Sequence, residues 1–400
     1  MKKLSSLFIS AVILCGIAQG QEPEKKDATD GFGFVTVKEN KITPVKDQAS
    51  SGTCWSFSGI GLIESELLRR GKGEYDFSEM FVVHTNYLDK AQKYVRLHGS
   101  LNFSAGGSFA DVLESIRIYG IVPESEKPGL NYGEERHRHG EMDAVLKSYA
   151  DAVIKNPNRT NLTTAWFEGY SAVLDAYLGK CPVSFTYGGK EYTPQSFAQS
   201  LGIRADDYIS LTSYTHQAFY EPFAIEVPDN WRWALSYNLP LDELMEVINS
   251  AVEKGFCVAW ASDVSEKGFS RNGIAVMPDI NAPEAPGSDQ ARWLNLSERE
   301  REAVISNLTE PMAEVKVTQE LRQKEYDNYK TTDDHGMLIY GTAQDQNGSK
   351  YYLVKNSWGT DNPYRGTWYA SVPFVTYKTT CITVHKDVLS KELKNKLNIK

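Results

Sequence analysis

The chain has 400 residues, 41% of them hydrophobic and 12% aromatic, with a formal net charge of −9. That much apolar surface excludes a disordered chain and suits one large folded domain or two intermeshed ones. The acidic balance argues against a nucleic-acid partner, which would need a basic footprint.

Residues 1–20 read as an export signal. Lys2 and Lys3 form a basic start, Leu7 to Ala18 are almost wholly apolar, and Ala18-Gln19-Gly20 offers small residues for cleavage after Gly20. The apolar run is too short to span a membrane. A lipoprotein anchored through Cys15 is the weaker alternative, because Leu14 before it is a poor fit to such processing. Removal of the signal takes two of the 43 basic residues and no acid, leaving 41 against 52 and a net charge of −11. Residues 21–40 are polar and read as a flexible leader.

From Cys54 the apolar spacing becomes helical, and a helix of about 17 residues ends at Arg69-Arg70-Gly71. Residues 77–95, with Ser78 as N-cap, give a second helix and 106–120 a third. Residues 125–255 read as mostly helical, for example 142–155 and 241–255. Beyond them 256–262, 336–344, 350–357 and 367–374 are rich in aromatic and β-branched residues and read as strands. Helices first and strands last point to an α+β architecture. The tail 390–400 reads as a short surface helix.

Four cysteines follow the signal, too widely spaced for a zinc ribbon. Cys257, in the apolar run GFCVAW, reads as an inert core thiol, and a bridge among Cys181, Cys257 and Cys381 is left open by the sequence. HRH at 137–139 lies in a charged run and reads as a solvated loop rather than a metal site. NWRWALSYN at 230–238 is aromatic-rich, with ordinary packing as its default reading.

Cys54 stands out. It falls at a helix start, where unpaired N–H groups favour thiolate, and small residues precede it. His335 heads an apolar strand and could act as base. Asn356, 21 residues on, could orient the imidazole, with Trp358 keeping water from that bond. Gln48, six residues before Cys54, could donate to a developing oxyanion beside the Cys54 backbone N–H.

Together GTCWSFS, the later DHG and KNSWG resemble the signatures of papain-like cysteine peptidases. The 281 residues between Cys54 and His335 exceed the roughly 130–150 usual in that family. Room for the surplus, and stretches such as FSEMFVVHTNYLDKA and LPLDELMEVINSAVEKG, resemble the bleomycin hydrolase and aminopeptidase C branch, over roughly residues 40–390.

The resemblance implies a papain-like peptidase domain over 41–400. A helical half would carry Cys54, a β-rich half over about 256–385 would carry His335 and Asn356, and a large helical insertion over about 125–255 would decorate the first. It implies amide hydrolysis through an acyl-enzyme, with Cys54, His335, Asn356 and Gln48 in the roles above. Gly106 and Gly107 would lie along the substrate backbone, and Trp358 beside them. Neither cofactor nor metal is implied; the partner is a peptide or protein substrate. Branch members are hexamers and aminopeptidases whose C-terminal carboxylate meets the substrate amine. This chain reads as stopping about 15 residues short of that tail and as having no room for an inhibitory pro-segment. An exported endopeptidase with an open cleft is therefore the alternative reading. A peptidase-like binding protein is more remote, because all four catalytic positions are filled.

Overall fold

The computed structural model describes residues 31–156, 161–279 and 297–399. The signal segment 1–20, Cys15 and the leader as far as residue 30 lie outside the described residues.

The first strand, β1 (Val35–Glu39), falls inside the segment read as a flexible leader and pairs antiparallel with β9 (His335–Gln344). Its side chains are half-buried or exposed, so backbone pairing holds it, and no inward apolar stripe marks it in sequence. Helix α1 (Cys54–Arg69) is buried on all sides from Trp55 to Leu67, as a central helix must be. Helix α2 (Glu79–Arg96) starts where the Ser78 hydroxyl accepts from the Phe81 N–H at 2.9 Å. Helix α3 (Phe109–Tyr119) opens with a capping box between Ser108 and Asp111.

The segment 125–255 is mixed rather than mostly helical. It holds α4 (Gly140–Ile154), α5 (Ala165–Leu178), α6 (Pro194–Leu201) and α7 (Leu241–Glu253). It also holds a hairpin of β2 (Phe185–Tyr187) and β3 (Lys190–Tyr192), and then β4 (Tyr208–Thr212), β5 (Pro222–Ala224) and β6 (Leu235–Asn238). Strands of three to five residues show too little periodicity to be told from loops. The last three extend the main sheet.

That sheet also contains β7 (Val258–Ser262), β8 (Ile274–Ala275), β10 (Lys350–Lys355), β11 (Thr367–Ser371) and β12 (Thr379–His385). Its order is β5-β6-β4-β12-β7-β9-β10-β11-β8, with β1 alongside β9. Strand β9 forms the wall between two cores. Leu338 and Tyr340 face the core around α1 to α6, while Met337 and Ile339 face the core around α7 and the far side of the sheet. Strands β7 and β10 alternate the same way, through Ala259 against Trp260 and Leu353 against Val354. Burial on both faces explains why these strands read as continuous apolar runs. The segment Lys391–Lys396 is the short helix expected of the tail. No helix among the described residues is long and apolar enough to cross a membrane.

Candidate active site

The two halves meet where α1 begins and β9 begins. Gly336 makes this contact close: a β-carbon there would fall 2.8 Å from Ser58 Oγ and 3.3 Å from Trp55 Cα. The Gly336 N–H consequently reaches the Cys54 thiol. Above this contact opens a cavity of about 310 Å³, whose walls include Gln48, Cys54, Gly106, Gly107, His335 and Trp358. Six of the seven residues singled out in the sequence thus line one cleft.

The seventh, Asn356, lies beneath it, 2% exposed, and its Oδ1 is 2.7 Å from His335 Nε2. The Trp358 ring covers this bond, 4.7 Å from the imidazole between centroids, and is itself steadied by Phe269 and Trp368. With Nε2 engaged, Nδ1 is the imidazole nitrogen left for the thiol.

Gln48 is fixed from the opposite half. Its backbone N–H donates to the Ser357 carbonyl at 2.8 Å, and its Oε1 accepts from Ser357 Oγ at 2.6 Å. The amide NH2 is the end left for the cleft. The motifs around Gln48 and Asn356, more than 300 residues apart, are therefore paired backbone to backbone, and Asp47 bridges Trp358 in the same ladder.

Burial pushes the Cys54 thiol up to about 11; backbone N–H groups of Gly336 and Trp55 act the other way, while Asp229 and Asp334 add to the rise. Burial lowers His335 to about 4, against the opposing bond to Asn356. Each group alone favours its neutral form. The arrangement can make a thiolate by passing the Cys54 proton to the imidazole, which the start of α1 and the Asn356 oxygen would both assist.

The HRH segment is not a solvated loop. His139 is fully buried and His137 nearly so, framed by Phe57 of α1 and by Tyr132. Its backbone brackets Ser50, with Ser50 N donating to His137 O and His139 N to Ser50 O. Arg136 pairs with Asp47. Among the described residues, no group of three His, Cys, Asp or Glu side chains is placed there or elsewhere to hold a metal ion. Cys54, Cys181, Cys257 and Cys381 are all free thiols, and Cys257 is buried in the core as read.

Sequence reasoning missed much of the cleft wall. Ile225, Asp229 and Asn230 come from the segment between β5 and β6, Cys381 from β12, and Asp333 and Asp334 from just before His335. The pair DDH was visible in sequence; nothing marked Asp229. In NWRWALSYN, Trp231 is buried and Trp233 is exposed.

Residues 24–187 match the family described as papain family cysteine protease, and residues 302–400 match the peptidase C1-like family. An aminopeptidase C of Streptococcus thermophilus is 21% identical over 428 residues, spanning 96% of this chain and 89% of its own. A bleomycin hydrolase of Mus musculus is 21% identical over 383 residues, spanning 84% and 78%. The crystal structure of PepW from Lactobacillus rhamnosis HN001 shares the fold at a TM-score of 0.68 and 18% identity, covering 91% of this chain and 84% of its own. The chain belongs to the papain family of cysteine peptidases and is a homologue of aminopeptidase C and bleomycin hydrolase.

Proposed function

We propose that the protein is an aminopeptidase working through Cys54, His335 and Asn356. Cys54 Sγ attacks the carbonyl carbon of the scissile amide, and its proton passes to His335 Nδ1. The oxyanion of the tetrahedral intermediate accepts from the Cys54 backbone N–H and the Gln48 amide. Collapse breaks the C–N bond, and His335 returns the proton to the leaving amine. Water, deprotonated by His335, then hydrolyses the thioester and restores the thiol. Asn356 holds the imidazole plane throughout.

The observation that carries this reading is the 2.7 Å His335–Asn356 bond roofed by Trp358, beside a cavity that also holds Cys54 and Gln48. Likeness to aminopeptidase C over nearly the whole chain supports the exopeptidase specificity. The test is a pair of fluorogenic peptides differing only in a free or an acylated amino end, with Cys54→Ala as control. Cleavage of the free-amine substrate, abolished in Cys54→Ala, is the expected result. Equal cleavage of the blocked substrate would replace the reading with an endopeptidase, and turnover by Cys54→Ala near wild type would remove the triad. The basic start and apolar run of residues 1–20 support export after cleavage at Gly20, which the intact mass of the mature protein checks. Hexameric assembly rests on the likeness to bleomycin hydrolase, and light scattering measures it.

A further inference from the structure

The inserted segment between β5 and β6 crosses one end of the cleft as a strap. Arg232 ties it to the helical half: Nε donates to Asp111 Oδ1 at 2.7 Å, and Nη2 donates to Asp89 Oδ2 at 2.7 Å and Asn86 Oδ1 at 2.9 Å. Asn230 closes the strap on itself through Ile225 O, Ala234 O and the Ala234 N–H. On the β side, the Asp229 N–H donates to Asp333 Oδ2 at 3.2 Å, and the Tyr326 hydroxyl donates to Glu226 O at 3.0 Å. A strap held from both halves keeps its side chains in fixed positions.

Asp229 is the charged residue this strap presents to the cleft. A β-carbon built on Gly106 would fall 1.9 Å from Asp229 Oδ2, so the carboxylate rests directly on the Gly106 backbone. Gly106 and Gly107 are the edge along which an extended substrate would run. A chain continuing past that edge would meet Asp229. The hydrogen bonds of Asp229 from Asn102 Nδ2 and Ser104 Oγ both go to Oδ1, leaving Oδ2 uncommitted.

Charge agrees with shape. Three carboxylates line the cavity, those of Asp229, Asp333 and Asp334, and no Lys or Arg does. Asp334 is committed to holding the end of β7, where its Oδ1 accepts from the Val264 N–H at 2.8 Å. The nearby cations are engaged elsewhere. Arg232 is spent on Asp89 and Asp111, and Lys90 Nζ donates to Ser104 O at 2.9 Å and Gly106 O at 2.6 Å. Asp229 and Asp333 therefore face the cavity with no cation in its walls; burial raises both carboxyls, Asp333 to about 7 with the Asp229 charge adding to the rise, which an incoming cation would reverse. The Thr380 hydroxyl, 2% exposed, lines the same cavity beside the Cys381 thiol. A cleft crossed by the strap and carrying two carboxyls fits a short cationic group better than a continuing chain.

We infer that Asp229, with Asp333, binds the free α-ammonium group of the substrate's N-terminal residue and so sets the exopeptidase register. This rests on the aminopeptidase reading above. The ammonium takes the place of the chain that a blocked substrate would push against Asp229. Binding is a charge-assisted hydrogen bond to Oδ2 of Asp229 and to Asp333.

The test compares wild type with Asp229→Asn and Asp333→Asn on three fluorogenic substrates: a free-amine aminoacyl amide, the same compound with the amine replaced by hydrogen, and an N-acetylated Lys-Xaa amide. Asp229→Asn is expected to lower kcat/KM for the free-amine substrate by 10- to 100-fold, mainly through KM, while kcat/KM for the des-amino compound stays within about threefold. Asp333→Asn should act in the same direction. The rate of Cys54 alkylation by iodoacetamide monitors the integrity of the site. A fall on both single-residue substrates together, or none on the free-amine one, overturns the inference. So does a loss confined to the acetylated Lys substrate, which would show that the carboxylates read a basic side chain. Should wild type cleave nothing, or free and blocked substrates alike, the aminopeptidase reading itself has failed, and Asp229 then has no role in register.

Discussion

Removal of the Gln48 side chain isolates the oxyanion contribution. Its position is set by two bonds to Ser357, one to the backbone and one to Oε1, and neither involves Cys54 or His335. Gln48→Ala deletes one of two oxyanion donors and leaves the nucleophile and base in place. Loss of a preorganised donor in a water-poor cleft costs about 2.7–4 kcal/mol of transition-state stabilisation, or about 10²–10³ in kcat. The ground-state carbonyl gains little from that donor, so KM should move by less than about threefold. The truncation also strips the Ser357 hydroxyl of its acceptor, a stability cost of about 1 kcal/mol. Ser357→Ala keeps the donor but frees its amide to rotate, and should cost about tenfold. Steady-state kinetics on the free-amine substrate, with Cys54 alkylation as a folding control, reads all of these. A Gln48→Ala enzyme within threefold of wild-type kcat would refute the oxyanion role and the pairing logic behind it.

Two further substitutions probe the contact between the halves. His335→Ala should slow alkylation of Cys54 at pH 6 by at least about 100-fold and move its onset to the alkaline side. The sign follows from burial, the largest of the effects that hold the thiol neutral up to about 11, so that proton transfer to His335 would be what makes a thiolate at lower pH. An unchanged pH onset would show that some other group ionises Cys54. Gly336→Ala would place a methyl 2.8 Å from Ser58 Oγ and 3.3 Å from both Phe109 Cε1 and Trp55 Cα. The serine can rotate but the Trp55 backbone cannot, so overpacking should cost about 1–3 kcal/mol and displace His335 from Cys54. Thermal unfolding and kcat should fall together; a variant with wild-type values of both contradicts the close approach.

What was legible in the sequence is what is local. Cys54 begins a helix because small residues and an apolar three- and four-residue spacing sit side by side, and the strand that starts at His335 and the one that ends just before Asn356 are apolar because both faces are buried. Ser78 announces α2 by its own hydroxyl. What stayed hidden depends on distant partners. Val35–Glu39 carries no inward stripe, since β9 holds it by backbone bonds. His137 and His139 look solvated in a charged run, yet Phe57 and Tyr132 bury them. Asp229 sits in an unremarkable turn; Gly106 and Asp333, each more than 100 residues away, make it part of the cleft wall.

The buried HRH segment supports the loop that leads into α1. Asp47 accepts from the Ala49 N–H at 2.8 Å, holds Arg136 and bridges Trp358. Ala49 itself has φ +49°, a conformation that a residue with a side chain adopts only when its surroundings impose it. Ser50, next in line, is gripped on both sides by the His137–His139 backbone. The loop carrying Gln48 into the cleft is thus clamped from the β half through Ser357 and from residues 137–139 through Ser50. Arg136 is largely exposed, so its ion pair contributes little to stability, about 0–1 kcal/mol. The two backbone bonds to Ser50 are the stronger restraint, because there are two of them and neither depends on an exposed side chain. Donor placement in the cleft therefore depends on residues about 90 positions downstream of Gln48.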